Sequence, residues 1–172
     1  MTVAMEAVRL AILTISDGVA GGTREDAGGA LIERWAAAHG YVQAARLTLP
    51  DDTSAITAAL LELADSGRVD VVLTTGGTGL TARDVTPEAT LAVLEREAPG
   101  IAERLRAVGA AATPHAALSR GVAGTRGATL IINLPGGEGG VRDGLRTLED
   151  FLVHAVQLVR GVRTNRHEPT HG

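Results

Sequence analysis

Residues 70–90 read DVVLTTGGTGLTARDVTPEAT, and the fold follows from how this stretch divides. Its first six residues, DVVLTT, hold an apolar run, Val71-Val72-Leu73, and are mostly β-branched, as in a short buried strand. They run directly into Gly76-Gly77-Thr78-Gly79, which holds more glycine than a turn requires. Glycine lets a ligand approach the amides without a Cβ in the way, and successive amides can line a nest for anionic oxygens. The Thr78 hydroxyl adds a donor. Arg83-Asp84 follows, then Thr86-Pro87. Proline suits the first position of a helix capped by Thr86, because its φ is already helical and no donor is needed there. The stretch therefore reads as strand, anion loop, acid and helix.

The same alternation extends in both directions. Residues 8–16 (VRLAILTIS) form a near-continuous apolar run ending in small polar residues, and a loop follows. Asp26 is placed to cap a helix that reaches about His39 and stops at Gly40. Val42–Leu49 reads as a less central strand. Pro50-Asp51-Asp52 breaks the chain before a helix with Ile56, Leu60 and Leu63 on one face. A further helical segment starts near Pro99 with Ile101, Leu105 and Val108 at helical spacing, and Thr129–Leu134 is another buried strand. Past Pro135-Gly136-Gly137-Glu138-Gly139-Gly140, one last helix carries Val141, Leu145, Leu148, Leu152 and Val156 down one side. Residues 1–160 read as one domain and 161–172 as a polar tail.

Strands alternating with helices through short connections predict an α/β fold, a three-layer sandwich with a mostly parallel sheet covered on both faces. Ligands in such sheets bind beyond the carboxyl ends of the strands, where strand order reverses. Those ends carry Ser16-Asp17, Pro50-Asp51, the span from Thr75 to Asp84, and the span from Asn133 to Gly140.

Composition removes several function classes. With a net charge of −4 and 2% aromatic residues, the chain offers neither the basic surface nor the stacking platforms of a nucleic-acid binder. It has no cysteine, and all sixteen of its basic residues are arginine. Disulfides, thiolate chemistry, Schiff bases and a Walker lysine are thereby excluded. No apolar stretch approaches the ~20 residues that span a bilayer, and MTVAMEAVRL lacks the pattern of a secretory signal. The expectation is a cytoplasmic protein with no membrane partner.

Two carboxylates, Asp51 and Asp84, come from separate loops beside the glycine nest. Carboxylates so placed can hold Mg²⁺ against phosphate oxygens, which points to metal-assisted phosphoryl or nucleotidyl transfer; taken alone, Asp84 equally suits a turn or cap. The second glycine loop offers a helix N-terminus for another phosphate, or a flexible link. Two motif matches mislead. Gly77-Thr78-Gly79-Leu80-Thr81-Ala82 fits the dinucleotide fingerprint, yet the best helix start lies several residues too late. His167-Glu168-Pro169-Thr170-His171 fits the zinc-protease signature, but Pro169 falls inside the required helical turn. His39, His115 and His154 show no ligand spacing.

Taken together, LTISDG at residues 13–18, TTGGTGLTARDVTPEAT at 74–90 and LSRGVAGTRGATLIINLPGG at 118–137 resemble the Mog/MoaB proteins of molybdenum cofactor biosynthesis. The likeness covers roughly residues 8–159. It implies a MogA-like fold, a homotrimer, and adenylylation of molybdopterin by ATP with Mg²⁺, releasing pyrophosphate. It also implies a possible hand-over to the downstream molybdate-insertion enzyme. By motif, Asp51 and Asp84 are the catalytic and metal-holding carboxylates. Gly76, Gly77, Thr78 and Gly79 bind molybdopterin together with Ser119, a further catalytic residue. Asn133, Leu134, Pro135 and Gly136 lie by the nucleotide. The alternative within the family is a paralogue that binds molybdopterin with little or no transfer activity. The chain departs from the family pattern after Asn133-Leu134-Pro135-Gly136, where Gly137, Glu138 and Gly139 replace a larger polar residue and a nearby lysine. An arginine from elsewhere, such as Arg83 or Arg142, could substitute for the missing cation, and the sequence does not show which.

Overall fold

A computed structural model describes residues 6–161. The sheet has six strands in the order β2-β1-β3-β6-β5-β4. Strands β1 (Arg9–Ile15), β2 (Val42–Leu49), β3 (Val71–Thr75) and β6 (Thr129–Leu134) are parallel. The last two, β4 (Arg96–Glu97) and β5 (Ala123–Arg126), run antiparallel at one edge. The sheet is thus mostly parallel, and its antiparallel edge is a pair of strands that the sequence did not announce.

Buried β1, β3 and β6 present side chains to both faces, and each face has its own apolar core. On one face Leu10, Ile12, Leu73, Ile132 and Leu134 pack under α2 (Ala27–Ala38), α6 (Glu138–Glu149) and α7 (Leu152–Val159). On the other Ala11, Leu13, Val72 and Ile131 pack under α3 (Thr53–Asp65) and α4 (Thr86–Val93). Three layers result, as the alternating pattern predicts. The single last helix expected from residue 141 to 156 is two: the chain breaks at Asp150-Phe151. Both halves keep their apolar stripe on the same core, with Leu148 and Leu152 fully buried on either side of the break.

Aspartates cap the second and third helices through their side chains. Asp26 accepts from the Gly29 amide at 2.8 Å and Asp52 from the Ala55 amide at 2.8 Å. One loop holds an unexpected turn of helix, α1 (Asp17–Ala20), capped by Ser16. Helix α5 (Pro99–Ala112) and a 3-10 turn at Pro114–Leu118 complete the chain's path to β5.

Chain order reverses at β1 and β3. From β1 the chain moves outward to β2, then returns to β3 on the other side of β1. Ligand crevices open at such switch points. Register places Thr14, Thr75 and Leu134 level with one another, so the loops leaving three strands begin at the same height.

Candidate functional site

A cleft of about 930 Å³ lies at this edge, between the strand ends and the segment formed by α5 and the 3-10 turn. Asp51, Gly76 to Gly79, Asp84, Ser119, Asn133, Pro135 and Gly136 all line it. Leu134 does not. It is fully buried in the core, and only its carbonyl faces the loops, accepting from the Gly76 amide at 3.2 Å.

The glycine loop is fixed by what it must avoid. Gly76 has φ 101°, and a Cβ there would sit 2.1 Å from the Ile15 carbonyl oxygen. Gly77 has φ 66°, and a Cβ would meet Thr86 Oγ1 at 2.3 Å. Thr86 is therefore not the outer cap expected from sequence. It is the first residue of α4, behind Val85, and its hydroxyl donates to the Gly76 carbonyl at 2.9 Å. Its amide donates to the Gly77 carbonyl at 3.1 Å. The pull of the loop on this buried hydroxyl outweighs a capping role.

The amides show the converse. Among the described residues, the Gly77 and Thr78 amides and the Thr78 hydroxyl donate to no protein acceptor. Yet Thr78 is only 5% exposed. Buried donors without partners cost roughly 1–3 kcal/mol each, so a donor set of this kind suits an incoming anion.

Both carboxylates lie against this loop. A Cβ at Gly77 would be 3.1 Å from Asp51 Oδ1, and one at Gly79 would be 2.8 Å from Asp84 Oδ2. Asp51 is held by a reciprocal exchange with Asp17. The Asp17 amide donates to Asp51 Oδ2 at 2.9 Å, and the Asp51 amide to Asp17 Oδ1 at 3.0 Å. Asp84 Oδ2 accepts from the Thr81 amide and hydroxyl at 2.9 and 2.8 Å. Burial pushes the Asp84 carboxyl up. The Thr81 donors, the neighbouring Gly79 amide and the charge of Arg120 outweigh it, holding the group below its ordinary value.

Of the arginines that could supply a cation, Arg83 is already paired. It makes a two-point contact with Asp17 at 2.9 Å on each arm. The Asp51 amide and this guanidinium together lower the Asp17 pKa. Arg142 does not line the cleft; Arg24 and Arg106 do. Arg106 Nη1 donates to the Gly121 carbonyl at 2.9 Å. Asp17 stands at a strand end that the sequence marks for the site, but nothing in the sequence separates Arg24 or Arg106 from other surface charges; Arg106 is placed by its bonds to the Ser119 and Gly121 carbonyls. Ser119 lines the cleft with its Oγ accepting from the Gly121 amide at 3.3 Å. Asn133 is 4% exposed and commits its side chain inward. Its Nδ2 donates to Thr74 and Thr90 at 3.0 Å each, and its Oδ1 accepts from the Val122 amide at 3.1 Å. The dinucleotide fingerprint fails here on geometry, because the helix after the glycine loop begins only at Thr86. The histidine pair of the tail lies outside the described residues.

The second glycine loop packs against the first. Thr75 Oγ1 donates to the Pro135 carbonyl at 2.7 Å, and a Cβ at Gly136 would lie 3.4 Å from Gly76 Cα. From Gly137 the chain enters α6, whose first amides carry no side-chain cap and open on the cleft.

Known proteins share this arrangement of chain. A family model described as "Probable molybdopterin binding domain" matches residues 11–154. The molybdopterin adenylyltransferase of Escherichia coli K12 is 40% identical over 159 residues, covering 88% of this chain and 81% of that protein. The molybdenum cofactor synthesis protein cinnamon of Drosophila melanogaster is 38% identical, but the chain spans only 26% of its length. The solved structure of the molybdopterin biosynthesis enzyme MoaB from Thermus thermophilus superposes with a TM-score of 0.84 at 47% identity, covering 90% of this chain and 97% of that one. The tungsten cofactor synthesizing protein MoaB from Pyrococcus furiosus superposes at 0.82 with 31% identity, covering 91% and 99%. The chain belongs to the molybdopterin-binding domain family of molybdenum cofactor biosynthesis.

Proposed function

We propose that this protein adenylylates molybdopterin. A terminal phosphate oxygen of molybdopterin bonds to the α-phosphorus of ATP, the bond from that phosphorus to the bridging oxygen breaks, and pyrophosphate leaves. One observation carries the reading beyond family membership: the unpaired donors of Gly77 and Thr78 lie against two carboxylates in a single cleft. The name molybdopterin adenylyltransferase on relatives aligned over most of the chain supports it.

The attacking phosphate needs no general base, since a phosphate monoester is already ionised at neutral pH. The protein's work is then positioning and charge compensation. Gly76 to Gly79, with Thr78 as hydroxyl donor and Ser119 nearby, hold the pterin phosphate. Nucleotide contacts from the second glycine loop come from the backbone of Pro135 and Gly136 and the open start of α6. Asn133 holds that loop in place from beneath, through its bonds to Thr74 and Thr90.

Asp51 and Asp84 both line the cleft. Two carboxylates suit Mg²⁺ when phosphates complete its shell, because this ion keeps several waters and takes one or two carboxylates. The hydrogen bonds to Asp51 and Asp84 fall on Oδ2 of each, so Oδ1 of each is the oxygen available for the ion. When bound, Mg²⁺ would neutralise charge on the ATP phosphates. We place the protein in the cytoplasm as a homotrimer that passes its product to a molybdate-insertion enzyme. No described helix is long and apolar enough to cross a membrane. Leu80 and Leu118, 65% and 51% exposed, are surfaces available for self-association. Incubation with ATP and molybdopterin, followed by mass spectrometry, is expected to show adenylyl-molybdopterin. Pterin bound but recovered unchanged would leave a binding protein on the same fold.

A further inference from the structure

An anion loop must turn its amides towards the ligand and its carbonyls away, and the carbonyls then need donors behind the loop. Thr86 supplies two of these, to Gly76 and Gly77. The next two, and one beyond, go to a single residue. The Arg120 amide donates to the Thr78 carbonyl at 2.8 Å. Its Nε donates to the Gly79 carbonyl at 2.7 Å and its Nη2 to the Asp84 carbonyl at 2.7 Å. Nη1 pairs with Glu88 in the first turn of α4.

We propose that Arg120 is the positioning residue of the site, holding the glycine loop and Asp84 as one rigid unit. Three effects combine. Carbonyls that would repel an anion are drawn to the rear. The backbone of Asp84 is tied to that of Gly79, so the carboxylate keeps its place beside the loop. Ser119, the preceding residue, is carried to the cleft by the same anchor. Arg120 itself is not among the residues lining the cleft, so it acts through the groups it holds and is not a catalytic residue. A lysine cannot reproduce this arrangement. The guanidinium presents donors in a fixed planar fork, whereas an ammonium is a single point. Glu88 in turn orients the fork, and its own carboxyl is held below its ordinary value chiefly by Arg120.

The rate readout of this proposal rests on the adenylyl-transfer reading, so the test includes one readout that does not. Arg120→Lys and Arg120→Ala are compared with the unaltered protein in pyrophosphate release, molybdopterin binding and thermal melting. The proposal predicts a loss of kcat of roughly 100-fold in both variants, the scale of an ångström misplacement of reacting groups. It also predicts a molybdopterin Kd weakened about tenfold or more, equivalent to ~1.4 kcal/mol. Methylguanidine is expected to restore a measurable part of the rate to Arg120→Ala, and methylamine is not. Arg120→Lys is expected to melt close to the parent, which separates positioning from folding. Full activity and unchanged pterin binding in Arg120→Lys would overturn the proposal, as would rescue by methylamine equal to that by methylguanidine. If the unaltered protein binds molybdopterin but releases no pyrophosphate, the adenylyl-transfer reading fails. The Kd comparison still decides the role of Arg120.

Discussion

Strand β3 is preceded at its amino end by Asp70, and past its carboxyl end the chain reaches Asp84. Asp70 is 1% exposed. Its oxygens accept from the Arg9 amide at 2.8 Å, from Arg9 Nε and Nη2 at 3.0 and 2.8 Å, and from Arg160 Nε at 3.0 Å. Burial pushes this carboxyl up, and the two guanidiniums and the amide overwhelm it, holding it far below the ordinary carboxylate range. Asp84 is also held low, but its hydrogen bonds fall on one oxygen and it borders a cleft. One acid is fully consumed by its own protein and the other is left with capacity. The difference separates an acid that ties the fold together from one that keeps an oxygen free of hydrogen bonds beside a cleft, and a depressed pKa alone does not distinguish them.

Removing Asp70 has the largest expected effect on stability. Asp70→Ala leaves Arg9 and Arg160 without their acceptor, and breaking a buried pair costs roughly 3–5 kcal/mol. The loss should fall near the lower figure, because the Arg9 side chain retains 41% exposure. Denaturant unfolding measures it, and activity per folded molecule should survive. Asp84→Asn should do the reverse. Asparagine can still accept from Thr81, so the loop keeps its shape and melting changes little, while kcat falls by roughly 10²–10³-fold. Asp51→Asn should behave alike. A large melting loss in Asp84→Asn would erase the contrast.

Acid sharpens the same comparison. Both folded pKa values lie below those of the unfolded chain. On acidification the unfolded state therefore takes up protons first, and stability falls with pH below the unfolded aspartate value of about 3.9. Asp70→Asn should flatten that acid limb more than Asp84→Asn, as read from melting temperatures between neutral and strongly acidic buffers. The smallest effect is expected from Arg83→Ala. Its pair with Asp17 is exposed on both sides, so melting should hardly move; any change should appear in the salt dependence of activity.

How far the sequence reaches depends on where the signal is stored. The strands β1, β3 and β6 were legible because strands buried on both faces carry runs of apolar residues without alternation, as in residues 10–13 (LAIL), 71–73 (VVL) and 130–132 (LII). The tight glycine loop after β3 was legible because few other needs call for glycine at Gly76, Gly77 and Gly79 together. Strands β4 and β5 were not. Arg96-Glu97 and Ala123–Arg126 are short and mixed in character, and only pairing with each other and β6 makes them strands. The break between α6 and α7 leaves no mark in the sequence because the apolar period runs through it. The contacts of Arg83 with Asp17 and of Arg120 with the glycine loop join segments distant in the chain, which no local pattern encodes. Asp51 and Asp84 could be named from motif, but their common placement against Gly77 and Gly79 needed the folded chain.

The most direct test is pyrophosphate release from ATP and Mg²⁺, measured with and without molybdopterin, for the unaltered protein and for Asp84→Asn. The expected result is release that depends on molybdopterin and is lost in Asp84→Asn while the variant stays folded. Release that ignores the pterin, or that persists unchanged in Asp84→Asn, would contradict it.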